Sequence, residues 1–101
     1  MVANDIVINT TAGIGSSTDY LSVYADEVDE ATASSSGGIY INNYKQTHSS
    51  AYPNGFELYQ VLANNGPISV ISAGDTYLRD VEIYQDANLN DLTFTLSLIH
   101  I

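Results

Sequence analysis

Apolar side chains recur at every second position in short runs, and turn-forming residues close each run within a few positions. The runs are Ile6/Ile8, Leu21/Val23, Ile39/Ile41, Phe56/Leu58, Ile68/Val70, Thr76/Leu78, Val81/Ile83 and Leu92/Phe94/Leu96. A period of two buries one face of a strand and wets the other. Gly, Asn, Ser, Asp and Pro fill the intervals Thr10–Ser17, Ser34–Gly38, Asn42–Gly55, Asn64–Pro67, Ala73–Asp75 and Asp86–Asp91. Asn and Gly tolerate positive φ and Pro presets a negative φ of about −65°, so these are turns. A helix has nowhere to grow: Asp26–Ala31 has the charge density for one helical turn, and Thr32–Gly38 stops it. The expectation is an all-β chain of short strands.

Three strand openings share one form: Asn4–Asn9, Gly37–Asn42 and Gly66–Ile71. In each, a turn pair precedes an apolar residue, any residue and a second apolar residue. A recurring short strand with such punctuation is expected of a β-solenoid, where each coil buries its inward side chains against the next. A β-sandwich explains the alternation alone, and it stays as the alternative. Either way the inward set is Ile6, Ile8, Leu21, Val23, Ile39, Ile41, Phe56, Leu58, Ile68, Val70, Leu78, Val81 and Ile83.

Charge removes several function classes. The 101 residues hold 2 Lys plus Arg against 12 Asp plus Glu, a net charge of −10. Nucleic acid and anionic membrane both need clustered cations, so neither is an expected partner. Cys is 0, which removes disulfides, thiol nucleophiles and thiolate-bound metal. No run approaches the roughly 18 apolar residues of a membrane-spanning helix. Met1–Asp5 lacks the features of a signal peptide, and the sequence reads as a piece of a larger protein.

The phrase Ala12–Val23, with its Ala-Gly-Ile-Gly opening and Asp19-Tyr20-Leu21-Ser22-Val23 close, resembles the repeats of filamentous-haemagglutinin-like bacterial exoproteins. Ser36–Asn43 and Ile68–Leu78 are similar to the same repeats, and the likeness spans about residues 4 to 84. The resemblance implies a right-handed parallel β-helix, secreted or held at the bacterial cell surface as an adhesin stalk. Its implied partners are a surface glycan or protein and the flanking coils of its own parent chain. It carries no catalytic residue over. Tyr44–Gly55 departs from the repeats by being longer and richer in Tyr and His. The organisation expected is solenoid over 1–95 and a tail over 96–101. That tail resembles translated sequencing-adapter read-through; its other reading is a last strand continuing Thr93–Thr95.

Three constellations are candidates for chemistry. Asp86, Asn88, Asn90 and Asp91 offer oxygen ligands at short spacing, which suits Ca²⁺, the one candidate cofactor. Gln85–Phe94 resembles the Asp-rich strand entry of bacterial cadherin-like modules, the alternative function. The EF-hand pattern itself is missing, and a solvated acidic turn explains these residues as well. Tyr40, Tyr44, Tyr52 and Tyr59 are candidate ligand contacts, since a Tyr offers a flat apolar face and a polar tip. Alternation points Tyr40 and Tyr59 outward, and Tyr44 and Tyr52 lie in the long loop. Asp75, Asp80 and Glu82 with Arg79 are the enzyme reading, a carbohydrate-active β-helix. With 2 cations in the chain, the groups to neutralise a uronate are nearly absent. His48 has no Gly-x-Ser-x-Gly elbow to join, and a solvated loop histidine is expected. The sequence therefore points to a non-catalytic structural or adhesive segment.

Overall fold

A computed structural model of the chain describes residues 2, 4–48, 50, 51, 53, 55–83, 92–95 and 99–100, the last two segments as backbone only. The described residues hold no helix. Among the described residues eleven strands run in chain order: β1 (Asp5–Thr10), β2 (Leu21–Val23), β3 (Glu27–Ala33), β4 (Ile39–Asn43), β5 (Phe56–Leu58) and β6 (Val61–Ala63), then β7 (Ile68–Ser72), β8 (Thr76–Leu78), β9 (Val81–Ile83), β10 (Leu92–Thr95) and β11 (Ile99–His100).

They form two sheets, and every strand-to-strand pairing is parallel. The seven-stranded sheet holds β1, β3, β5, β6, β8, β9 and β11, and the four-stranded sheet holds β2, β4, β7 and β10. Apart from the split pairs β5/β6 and β8/β9, the chain changes sheet from each strand to the next. Parallel neighbours cannot be joined by hairpins, so this pairing does not fit the antiparallel sandwich.

Register stacks like on like. In the larger sheet Ile6, Val28, Leu58 and Leu78 form one column, and Ile8, Ala31, Val61 and Val81 another. In the smaller sheet Leu21, Ile41 and Val70 align, as do Ile39 and Ile68. All of the inward residues named from the sequence lie in, or pack against, one apolar cluster drawn from both sheets. Ile14, Ala25, Val28, Ala31, Ala33, Val61 and Ala63 complete it.

Asp26–Ala31 lies in no helical turn. Glu27–Ala33 is the longest strand, with Val28, Ala31 and Ala33 buried and Asp29 exposed. The shared openings align only in part: Ile39 pairs Ile68, whereas Ile6 belongs to the other sheet and pairs Val28. Glycine sets the spacing at the turns between sheets. A Cβ on Gly66 would run into the Gly37 carbonyl, so only Gly lets these turns lie against one another. In the tail, Ile99–His100 pairs β8, while 96–98 and 101 lie outside the described residues.

Candidate functional site

Three of the connections that lead from the four-stranded sheet to the seven-stranded one are residues 24–26, 44–55 and 73–75. They lie side by side. Tyr44 N–H donates to the Val23 carbonyl at 2.9 Å, and Ala73 N–H to the Asn43 carbonyl at 3.1 Å. The first and third connections are three residues long, and the middle one is twelve. Its described residues meet both neighbours, Lys45 and His48 at Asp26 and Gln46 at Gly74.

The loop is clasped by Asp26. Lys45 Nζ lies 2.8 Å from Asp26 Oδ1, and His48 Nδ1 lies 2.7 Å from the same oxygen. The side chains of Asp26 and His48 are 6% and 3% exposed, that of Lys45 20%. The histidine is thus buried, not solvated as its polar sequence context suggests. Its ring stacks on fully buried Phe56 with centroids 6.4 Å apart and planes at 16°. Asp26 is also tied by its backbone: its N–H donates to the Asn4 carbonyl, and its carbonyl accepts from Glu57 N–H. Burial pushes the Asp26 carboxyl up, but the Lys45 and His48 hydrogen bonds outweigh it and hold the group below 3.8.

With the Asp26 carboxylate on Nδ1, Nε2 is the ring nitrogen left to meet another group. That orientation resembles a proton-transfer dyad. Among the described residues, however, Nε2 is buried and meets no hydrogen-bond partner, hydroxyls included. As it stands the pair fastens a loop. Beside it is a cleft of about 340 Å³, lined by Gln46, Thr47 and His48 of the loop and by Gly74 and Asp75 of the third connection, with Pro53 and Gly55.

A second electrostatic feature lies one residue on. Asp5, Glu27 and Glu57 are register mates on β1, β3 and β5. Burial pushes the Glu27 carboxyl up, the Asp5 hydrogen bond and charge add to it, and Asp29 and Glu57 add more, to about 7.

The described sequence-predicted contacts, Tyr40, Tyr44 and Tyr59, have different surroundings. Tyr40 is half-buried, meets Tyr20 edge-on at 5.4 Å and lies over Gly38. Tyr59, on the other sheet's side, is covered by the Arg79 guanidinium 4.2 Å from its ring centroid. Tyr44 is 57% exposed, with its hydroxyl accepting from Asn42 Nδ2. Tyr52, Asp86, Asn88, Asn90 and Asp91 lie outside the described residues. Among the described residues no three His, Asp or Glu side chains are grouped to hold a metal. Sequence reasoning missed Tyr24, 48% exposed. Its position, directly after β2 as Tyr44 directly follows β4, was the available signal.

Compared with protein-family models, curated proteins and solved structures, the chain has no match.

Proposed function

We propose that the chain is a non-catalytic structural and adhesive segment, a few coils of a right-handed β-helical stalk in a secreted or surface-held bacterial adhesin. One observation carries this reading. The chain alternates between two parallel sheets, and register repeats apolar on apolar from strand to strand. In a solenoid each coil satisfies the backbone groups of the next, so length is added without a new fold. The Asp26 clasp supports the same reading, because it secures an insertion against the stack. The net charge of −10 keeps neighbouring stalks apart.

Thermal melting by far-UV circular dichroism, with and without millimolar Ca²⁺, tests the reading together with a polysaccharide cleavage screen. A stalk gives a β-type melt that ignores Ca²⁺, and no cleavage. A melt raised by Ca²⁺ supports the cadherin-like module instead, and cleavage of any uronic or neutral polysaccharide supports an enzyme.

A further inference from the structure

We infer that the clasp is the reactant state of a covalent cross-link: Lys45 Nζ condenses with the Asp26 side chain to an isopeptide amide, with His48 moving a proton. The two partners are in contact, Nζ at 2.8 Å from Oδ1. The carboxyl stands on fixed backbone, because Asp26 N–H donates to the Asn4 carbonyl and its own carbonyl accepts from Glu57 N–H. Lys45 N–H donates to the buried Asn43 Oδ1 at 3.3 Å, which fixes the base of the amine's stem. The surroundings are shielded and largely apolar. The Asp26 side chain is 6% exposed, Ala25 and Phe56 are fully buried, and the Tyr24 ring centroid lies 5.6 Å from Nζ. His48 Nδ1 reaches the same oxygen at 2.7 Å, with its ring stacked on Phe56. An ion pair that only holds a loop needs no acid–base group on the oxygen that would leave. This one has it.

The step balances within the clasp. One proton passes from the Lys45 ammonium to the Asp26 carboxylate along their hydrogen bond, giving a free amine beside a carboxylic acid. The Nζ lone pair attacks Cγ, and the Nζ–Cγ bond forms. His48 relays a second Nζ proton to the leaving oxygen, the Cγ–Oδ1 bond breaks, and one water departs. An ammonium and a carboxylate become one neutral amide, so nothing is oxidised or reduced. Burial favours the neutral acid, whereas the Lys45 and His48 bonds favour the carboxylate and prevail. The first transfer is therefore uphill, and the bond forms slowly after folding. Orientation offsets this, since well-placed intramolecular partners react as if at about 10⁵–10⁸ M. The product ties the middle connection to the first. It needs only the clasp and stands or falls apart from the adhesive reading.

The test is intact mass spectrometry of the full chain, kept folded at neutral pH, followed by trypsin on the denatured chain. Lys45 and Arg79 are the two tryptic sites. The expected chain is lighter than its sequence by one water. Trypsin then leaves two pieces, 1–79 and 80–101, because the amide masks Lys45, and fragment spectra place the link between Asp26 and Lys45. Asp26→Ala and Lys45→Arg are expected to restore the full mass and three pieces. His48→Gln is expected to slow the appearance of the bond about a hundredfold. The full mass with three pieces from the native chain overturns the inference, and that measurement decides even where a variant fails to fold. One water lost with Lys45 still cut marks a cyclised aspartate and also overturns it. A rate unchanged in His48→Gln overturns the part given to the histidine.

Discussion

The side-chain amide of Asn43 bonds both polar groups of Ala25: Oδ1 accepts from Ala25 N–H and Nδ2 donates to Ala25 C=O, each at 3.1 Å. Asn43 is fully buried, in register with Val23 above and Ser72 below. Its amide thus stands in for a strand where the chain leaves one sheet for the other. Asn43→Ala leaves two buried backbone groups without partners, and should destabilise the fold by about 3 kcal/mol. Urea denaturation checks this; a loss below about 0.5 kcal/mol contradicts it.

Asp26→Ala removes the clasp. It leaves His48 Nδ1 buried and unpaired, while Lys45 is exposed enough to turn to water. A loss of about 2–4 kcal/mol is expected, at the lower side of breaking a buried pair. The His48 ring protons, shifted by the Phe56 face in the native protein, should move toward random-coil positions. Unchanged His48 resonances in the variant contradict the clasp.

The two shifted carboxyls act at opposite ends of the pH range. Glu27 is raised from 4.5 to about 7. Its contribution to stability is fully present below about 4.5 and is lost as pH rises through about 7. Asp26 is lowered from 3.8, so its contribution is present above 3.8 and lost as pH falls through its lower folded value. The melting temperature should therefore be higher at pH 5 than at pH 8 and fall again in strong acid. Glu27→Gln should flatten the pH 5 to 8 slope; an equal slope in that variant contradicts the assignment.

Gly66→Ala tests the spacing between turns. Its Cβ meets the Gly37 carbonyl and neighbouring backbone, which no rotamer change relieves. The expected loss is about 2 kcal/mol or more, by overpacking against backbone. A neutral substitution would mean that the turns lie further apart than described.

The inward residues were legible because alternation marks them wherever the outward partner is polar. Glu27–Ala33 was harder to see, since Glu27, Asp29 and Glu30 surround Val28 and the small Ala31 and Ala33 carry little hydropathy. Val61–Ala63 was hidden likewise by Leu62, an apolar residue at the outward position. Parallel pairing leaves no local mark, because the partner is twenty to thirty residues away, as with Phe56 and Thr76 or Glu27 and Glu57. The site was less legible still. Nothing near His48 in the chain names Asp26, and only the fold brings them to 2.7 Å.

Cross-strand NMR contacts around β4 test the central claim most directly. The account predicts that Ile41 contacts Leu21 on one side and Val70 on the other, in parallel register. Close Hα–Hα contacts between β4 and β5, the mark of an antiparallel hairpin between consecutive strands, would contradict it.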